Sequence, residues 1–182
     1  MVRRKRNQTA KKKASTPTKA ITPQVNAIPE FIEGIPTKKS CIKERRELIT
    51  EYYNSLWKRL QREVKSNFIV NDFLQAKIYI VKNESDKKAK NESVYNWKST
   101  FSVKHLYEIV KNAKPKPNSD IEFVEVKQGS QKANGYKQNI ILYHEFTNSK
   151  FDYLNFAVKL TIGIKADGKH IQYAINKIEI NK

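Results

Sequence analysis

A single cysteine, Cys41, stands in a chain of 182 residues. No intrachain disulfide is possible, and no zinc site can be assembled from thiolates. No apolar run approaches the roughly 20 residues that span a bilayer. The basic residues near the start are not followed by an apolar stretch, so they do not read as a signal peptide. The sequons at Asn7, Asn83 and Asn91 therefore carry no expectation of glycans, and an intracellular or intravirion location is expected. The common catalytic signatures are also missing: no Gly-rich phosphate loop, no HExxH, no CxxC and no GxSxG. Acids paired at metal-ligand spacing are absent, which argues against metal-dependent nuclease chemistry, and no cofactor is expected.

Acid is the scarce charge. Lys and Arg number 36 against 18 Asp and Glu, a formal charge of +18. Residues 1–20 contain Arg3, Arg4, Lys5, Arg6, Lys11, Lys12, Lys13 and Lys19 and no acid, so they carry +8 and the rest of the chain +10. Such an imbalance says nothing about fold, but it identifies polyanions as partners, and phosphate backbones are the commonest of these. RNA stands ahead of DNA, and no membrane partner is expected. Arg3–Arg6 and Lys11–Lys13 would also suit nuclear import in a eukaryotic host.

Residues 1–39 read as a disordered tail rich in Lys, Thr and Pro, too poor in apolar surface to offset the entropy of ordering. Ile28-Pro29-Glu30-Phe31-Ile32 is its only apolar cluster, with Phe31 and Ile32 able to dock on the domain or on a partner. Residues 40–182 read as a single domain. A helix is expected over 41–65, capped by Ser40, with Ile42, Ile49, Tyr53, Leu56, Leu60 and Val64 as its apolar stripe. Arg45, Arg46, Lys58, Arg59, Arg62 and Lys65 fall off that stripe and read as a solvated face partnered by Glu44, Glu47, Glu51 and Glu63. Phe68-Ile69-Val70 suits an extended or a helical piece. Residues 77–82 read as a strand and 83–93 as a polar loop. A second helix is expected over 103–113, capped by Ser102, with Leu106, Ile109, Val110 and Ala113 facing inward and Lys114-Pro115-Lys116-Pro117 as its stop.

The remainder reads as β. Residues 121–126 alternate, with Ile121, Phe123 and Glu125 on one face. Residues 129–135 form a polar connection and 139–146 a strand. Over 156–165, Phe156, Val158, Leu160, Ile162 and Ile164 share a face. Asp167-Gly168 marks a hairpin turn, and a last strand carries Ile171, Tyr173, Ile175 and Ile178, with a bulge near Asn176. The expected fold is α+β: N-terminal helices packed on an antiparallel sheet of four to five strands.

Without metal or thiol, the chemistry open to such a chain is cleavage of RNA by proton transfer. It needs a base for the ribose 2′-hydroxyl, an acid for the leaving oxygen, and cations for the charged phosphorane. Histidine suits both proton roles. There are only three: His105, His144 and His170.

Several stretches of the C-terminal half carry a resemblance. They are Tyr143-His144-Glu145-Phe146, Phe156-Ala157-Val158-Lys159-Leu160-Thr161-Ile162, Asp167-Gly168-Lys169 and Tyr173-Ala174-Ile175. With Lys104-His105-Leu106 and Asn112-Ala113, they resemble the phage-associated branch of the barnase/EndoU/colicin/RelE nuclease superfamily over roughly residues 95–180. The resemblance implies helices before a four-stranded antiparallel sheet. It nominates His105 for proton transfer, with Lys159 and Thr161 as phosphate contacts, and His144 joins them as a catalytic candidate. The rival reading of Lys159 and Thr161 is a solvated sheet face, and His144 shares a strand face with Phe146. His170 reads as exposed and Tyr173 as core. Tyr95, Trp97 and Phe101 beside Lys98 suit base stacking, or else cover one end of the core. Two functions follow: a metal-independent ribonuclease, or a non-catalytic nucleic-acid-binding or packaging component of a virion or ribonucleoprotein.

Overall fold

In the computed structural model, the described residues are 34–81, 94–146 and 155–178, with side chains to 176. The expectations for residues 1–33 (Phe31 and Ile32 among them), for the whole 83–93 loop and for the end of the strand at Lys82 lie outside these. The chain has the expected α+β architecture. Helices α1 (Ile42–Glu63), α2 (Trp97–Lys104), α3 (Leu106–Asn112) and the short α4 (Gly129–Ala133) accompany one sheet. Its strands are β1 (Phe68–Asn71), β2 (Ala76–Tyr79), β3 (Glu122–Glu125), β4 (Tyr136–Phe146), β5 (Phe156–Lys165) and β6 (His170–Ile178). The order is β1-β2-β6-β5-β4-β3, and the sheet is mixed, because β2 runs parallel to β6. Phe68-Ile69-Val70, which suited either state, is a strand of the hairpin that adds this edge.

On α1 the expected stripe is buried at Ile49, Tyr53, Leu56 and Leu60. Arg45 was expected off that stripe and in solvent. It lies one turn before Ile49 on the same stripe and is only 1% exposed. Its guanidinium forms no ion pair with a described acid. Nε donates to the Val94 carbonyl, and Nη1 donates to the Pro36 and Lys38 carbonyls at 3.0 and 2.7 Å. A planar fork of five donors suits this use, and the buried charge is compensated by carbonyl dipoles. The same contacts order residues assigned to the tail. Ile35 is buried against Leu48, Trp97 and Phe101, so the fold begins ahead of residue 40. Ser40 does not cap α1. It lies in a turn closed by the Cys41 N–H on the Lys38 carbonyl, and Cys41 precedes the helix without a side-chain cap.

The helix expected over 103–113 is two helices. α2 starts earlier because Asn96 caps it, its Oδ1 accepting from the Lys98 N–H at 2.9 Å. Ser102 is inside the helix and donates to the Lys98 carbonyl, a back-bond that bends helices. The chain then breaks at His105, which has φ −98° and ψ 19°. Asn71, fully buried, ties β1 to the end of α3: Nδ2 donates to the Val110 and Ala113 carbonyls at 2.7 and 2.9 Å, and Oδ1 accepts from the Leu74 N–H. These bonds satisfy carbonyls that a helix end leaves open.

β4 and β5 pair over almost their full length. Ile140, Leu142, Phe156, Val158, Leu160 and Ile162 face the helices and form the main core with them. The bulge in β6 is at Tyr173, three residues ahead of the expected place. Ala174 pairs with Thr161 but Gln172 with Ile162, whereas Asn176 is in regular register with Lys159. The slip puts Ile175 in the main core and Ile171 on the other face, where it packs with Val126 and Tyr136. The Tyr136 ring lies over Gly163, where a Cβ would stand 2.5 Å from a ring carbon. All four residues of β3 are exposed, so Phe123 and Glu125 form no buried face.

Arg45→Ala is expected to destabilise the domain by about 3 kcal/mol in chemical denaturation, because the buried Val94 carbonyl and two part-buried carbonyls lose their donor. Arg45→Lys should recover little of this, and the exposed Arg46→Ala should stay within about 0.5 kcal/mol of the parent.

Candidate functional site

The strand register sorts the predicted residues. His144 pairs with Val158, and Phe146 with Phe156, on the helix-facing side of the sheet. Tyr143 pairs with Lys159, and Ile141 with Thr161, on the opposite side. His105 comes from the α2–α3 break and reaches the helix-facing side, where it joins His144. Lys159 and Thr161 do not join them. The residues that the nuclease resemblance unites fall on two faces of one sheet, because side chains alternate along a strand with period two.

On the helix-facing side, His105 and His144 flank Phe146, with ring centroids 5.7 and 4.9 Å from it. Phe101 lies 4.4 Å from His105 and 5.2 Å from Phe146, and Phe156 lies 5.1 Å from Phe146. Lys98 Nζ closes the cluster at 5.5 Å over the Phe156 ring. These surroundings favour neutral imidazoles. Burial holds His105 below the ordinary histidine range, helped by Lys104 and opposed by Glu108. Burial also lowers His144, reinforced by His105 and opposed by Glu108 and Glu145. Lys98 is lowered by burial alone. The Nε2 atom of His105 is buried without a hydrogen-bond partner. The aromatic trio is divided. Trp97 packs with Ile35, Phe101 joins the histidine cluster, and only Tyr95 is open to solvent, at 68% exposure.

His105 also reaches a groove of 580 Å³ between α1 and the α2–α3 break, together with Tyr52, Arg59, Lys104, Tyr107 and Glu108. Arg59, expected on the solvated face with Glu63 among its partners, has that partner and a second acid. It bonds Glu63 at 2.9 Å and Glu108 at 2.8 Å and stacks 3.5 Å over the Tyr107 ring, which links α1 to α3.

On the opposite face, Tyr143 stands beside Lys159, and Lys116 Nζ sits 4.9 Å over its ring. The Tyr143 hydroxyl donates to Glu122 at 3.2 Å. Burial, with Glu122 adding to it, raises the phenol above its ordinary range. Lys159 is half-buried, and Thr161 lies at the floor of this face, 8% exposed. His170, read as exposed, is half-buried in the sheet and pairs with Ile164 and Ile78. The shared parity of Tyr143 and Lys159 was readable from the sequence. The approach of Lys116 to that ring was not, because it depends on the Lys114–Tyr143 bridge that brings the chain after α3 back to β4.

Among the described residues, no three His, Cys, Asp or Glu cluster so as to hold a metal ion. Nor is any described helix long and apolar enough to cross a membrane. Arg3, Arg4, Lys5, Arg6, Lys11, Lys12 and Lys13 lie outside the described residues. No family model matches the chain, and neither the curated proteins nor the solved structures contain a match to it.

A double-mutant cycle tests the division between faces. The effects of His144→Ala and Lys159→Ala on RNA affinity should add to within about 0.5 kcal/mol, as for independent sites. A larger coupling would return them to one site.

Proposed function

We propose that this protein binds nucleic acid, RNA ahead of DNA, as a non-catalytic binding or packaging component. The observation that carries the reading is charge: the chain has twice as many cations as acids, and eight cations without an acid stand in residues 1–20. Such a segment contacts phosphate regardless of sequence and releases counterions as it does so. The sheet face with Tyr143, Lys159 and Lys116 supports a second contact, pairing an aromatic ring with cations as single-strand binders do. Two features favour binding over cleavage. The histidines sit on the face away from Lys159 and Thr161, and both are held toward the neutral form. A neutral imidazole can act as the base, but its remaining N–H is far too weak an acid to protonate a leaving oxygen, a task that needs the imidazolium.

One observation favours the ribonuclease reading kept from the resemblance to barnase/RelE-type nucleases: His105 and His144, far apart in sequence, meet around Phe146. One would act as base and the other as acid, with Lys98 and Lys104 as the cations of the neighbourhood.

Deleting residues 1–20 should weaken binding to a single-stranded RNA and flatten the plot of log affinity against log salt by up to about 6, from eight lost cations. An unchanged affinity and slope would remove the tail as the contact. Incubation of the full chain with RNA separates the two readings. Binding without cleavage is expected. Cleavage that persists in EDTA, leaves 2′,3′-cyclic phosphate ends and disappears in a folded His105→Ala variant would establish the ribonuclease instead.

A further inference from the structure

We propose that the α2–α3 elbow at His105 is an acid-opened joint: protonation of His105 and His144 lifts the elbow from the ends of β4 and β5 while both outer ends of the helix pair stay fixed. The geometry has three parts. The helix pair is pinned at both ends by buried side chains on main-chain carbonyls. Arg45 holds the Val94 carbonyl just before α2, and Asn71 holds Val110 and Ala113 at the end of α3. Between these pins the helical run is interrupted only at His105. At that point the elbow meets the sheet through rings: His105 and Phe101 against Phe146, with His144 on the far side of Phe146. Ring packing is thus a direct contact between the elbow and the ends of β4 and β5.

Packing of this kind tolerates neutral imidazoles and rejects charged ones. The charged groups facing the pair come from every neighbouring element. α2 brings Lys98 and Lys104, α3 brings Glu108, α1 brings Arg59 and, across the groove, Glu51, and β4 brings Glu145; the described part of β5 at the contact is apolar. Glu108 is already paired with Arg59, and Glu145 is exposed. Two added charges therefore meet as many cations as acids or more, and they repel each other.

The direction of the pH effect follows. Both histidines are held below their ordinary range when packed. The opened form binds more protons, so closure is complete above about pH 6.5 and weakens as pH falls from there. Release of one imidazole raises the open population at most tenfold per pH unit, and release of two at most a hundredfold.

The test is amide hydrogen exchange of the full chain between pH 7 and 5, corrected for the intrinsic exchange rate, alongside NMR titration of the imidazole ring protons. Protection of residues 101–109 and of the paired ends of β4 and β5 should fall by more than tenfold per pH unit, with α1 amides 49–60 and the β1–α3 tie unchanged. In a His105→Phe, His144→Phe variant this dependence should vanish. Four results would overturn the joint. One is equal loss of protection in α1, which is global acid unfolding. Another is ring titration at or above pH 6.5 in the closed protein. The third is protection that does not change with pH. The last is persistence of the dependence in the double variant. If that variant does not fold, the ring titration and exchange of the parent chain decide the matter.

Discussion

Alternation along β4 and β5 governs what this protein can present. Every side chain on a strand commits to one of two faces, and the long pairing of these strands leaves no freedom to slip. Beyond the register shift at the start of β4, even-numbered positions from Ile140 on go to the helices and make the core, whereas odd-numbered ones go to the far side. Lys159 and Thr161 therefore share a surface with Tyr143 and are separated from His144 by the sheet itself. A residue set that looks contiguous along the sequence is divided in space by a rule that applies to any strand. Strict parity fails at the start of β4, where the register shifts between Tyr136 and Gln138, and in β6, through the extra residue at Tyr173. The slip in β6 allows it to contribute Ile175 to the main core and Ile171 to the smaller cluster behind it.

Much of the architecture was readable because burial imprints a period. The stripe Ile49, Tyr53, Leu56 and Leu60, the alternation from Phe156 to Ile164 and the turn at Asp167-Gly168 each correspond to an element of the expected type. What was not readable lies where polar residues do apolar work. Arg45 occupies a stripe position, but its charge points the reader toward solvent. Its burial becomes intelligible only when Pro36, Lys38 and Val94 are found nearby in space. Ser102 has the chemistry of a cap, but Asn96 claims that role six residues earlier. The β1–β2 edge depends on a parallel contact with β6 over two residue pairs, which no local pattern records. Of the site, the parity of Tyr143 and Lys159 was legible. The meeting of His105 with His144 was not, since it follows from the helix break and from packing on Phe146.

Two buried polar side chains replace what the hydrophobic core does not supply. Arg45 and Asn71 each gather several carbonyls, one at the start of α1 and one at the end of α3. Buried polar groups with their partners in place fix geometry more narrowly than apolar contacts, which tolerate sliding. Between these fixed points lie the aromatic and histidine contacts, where rings pack on rings. Rigid ends and a ring-packed middle divide this helical layer into parts of different character.

The grip of Arg45 on Pro36 and Lys38 has a mechanical meaning. Residues 1–20 are the most cationic stretch of the chain, and a polymer bound there would exert tension along the backbone toward residue 35. Among the described residues, the first contacts on that path are Ile35, packed on Leu48, Trp97 and Phe101, and the guanidinium fork, which leads to α1, a helix of 22 residues, and to the backbone at Val94. The sheet face with Tyr143 and Lys159 stands outside this line of force. A load on the tail would thus be borne along a helix axis, and the surface behind it would keep its shape under strain.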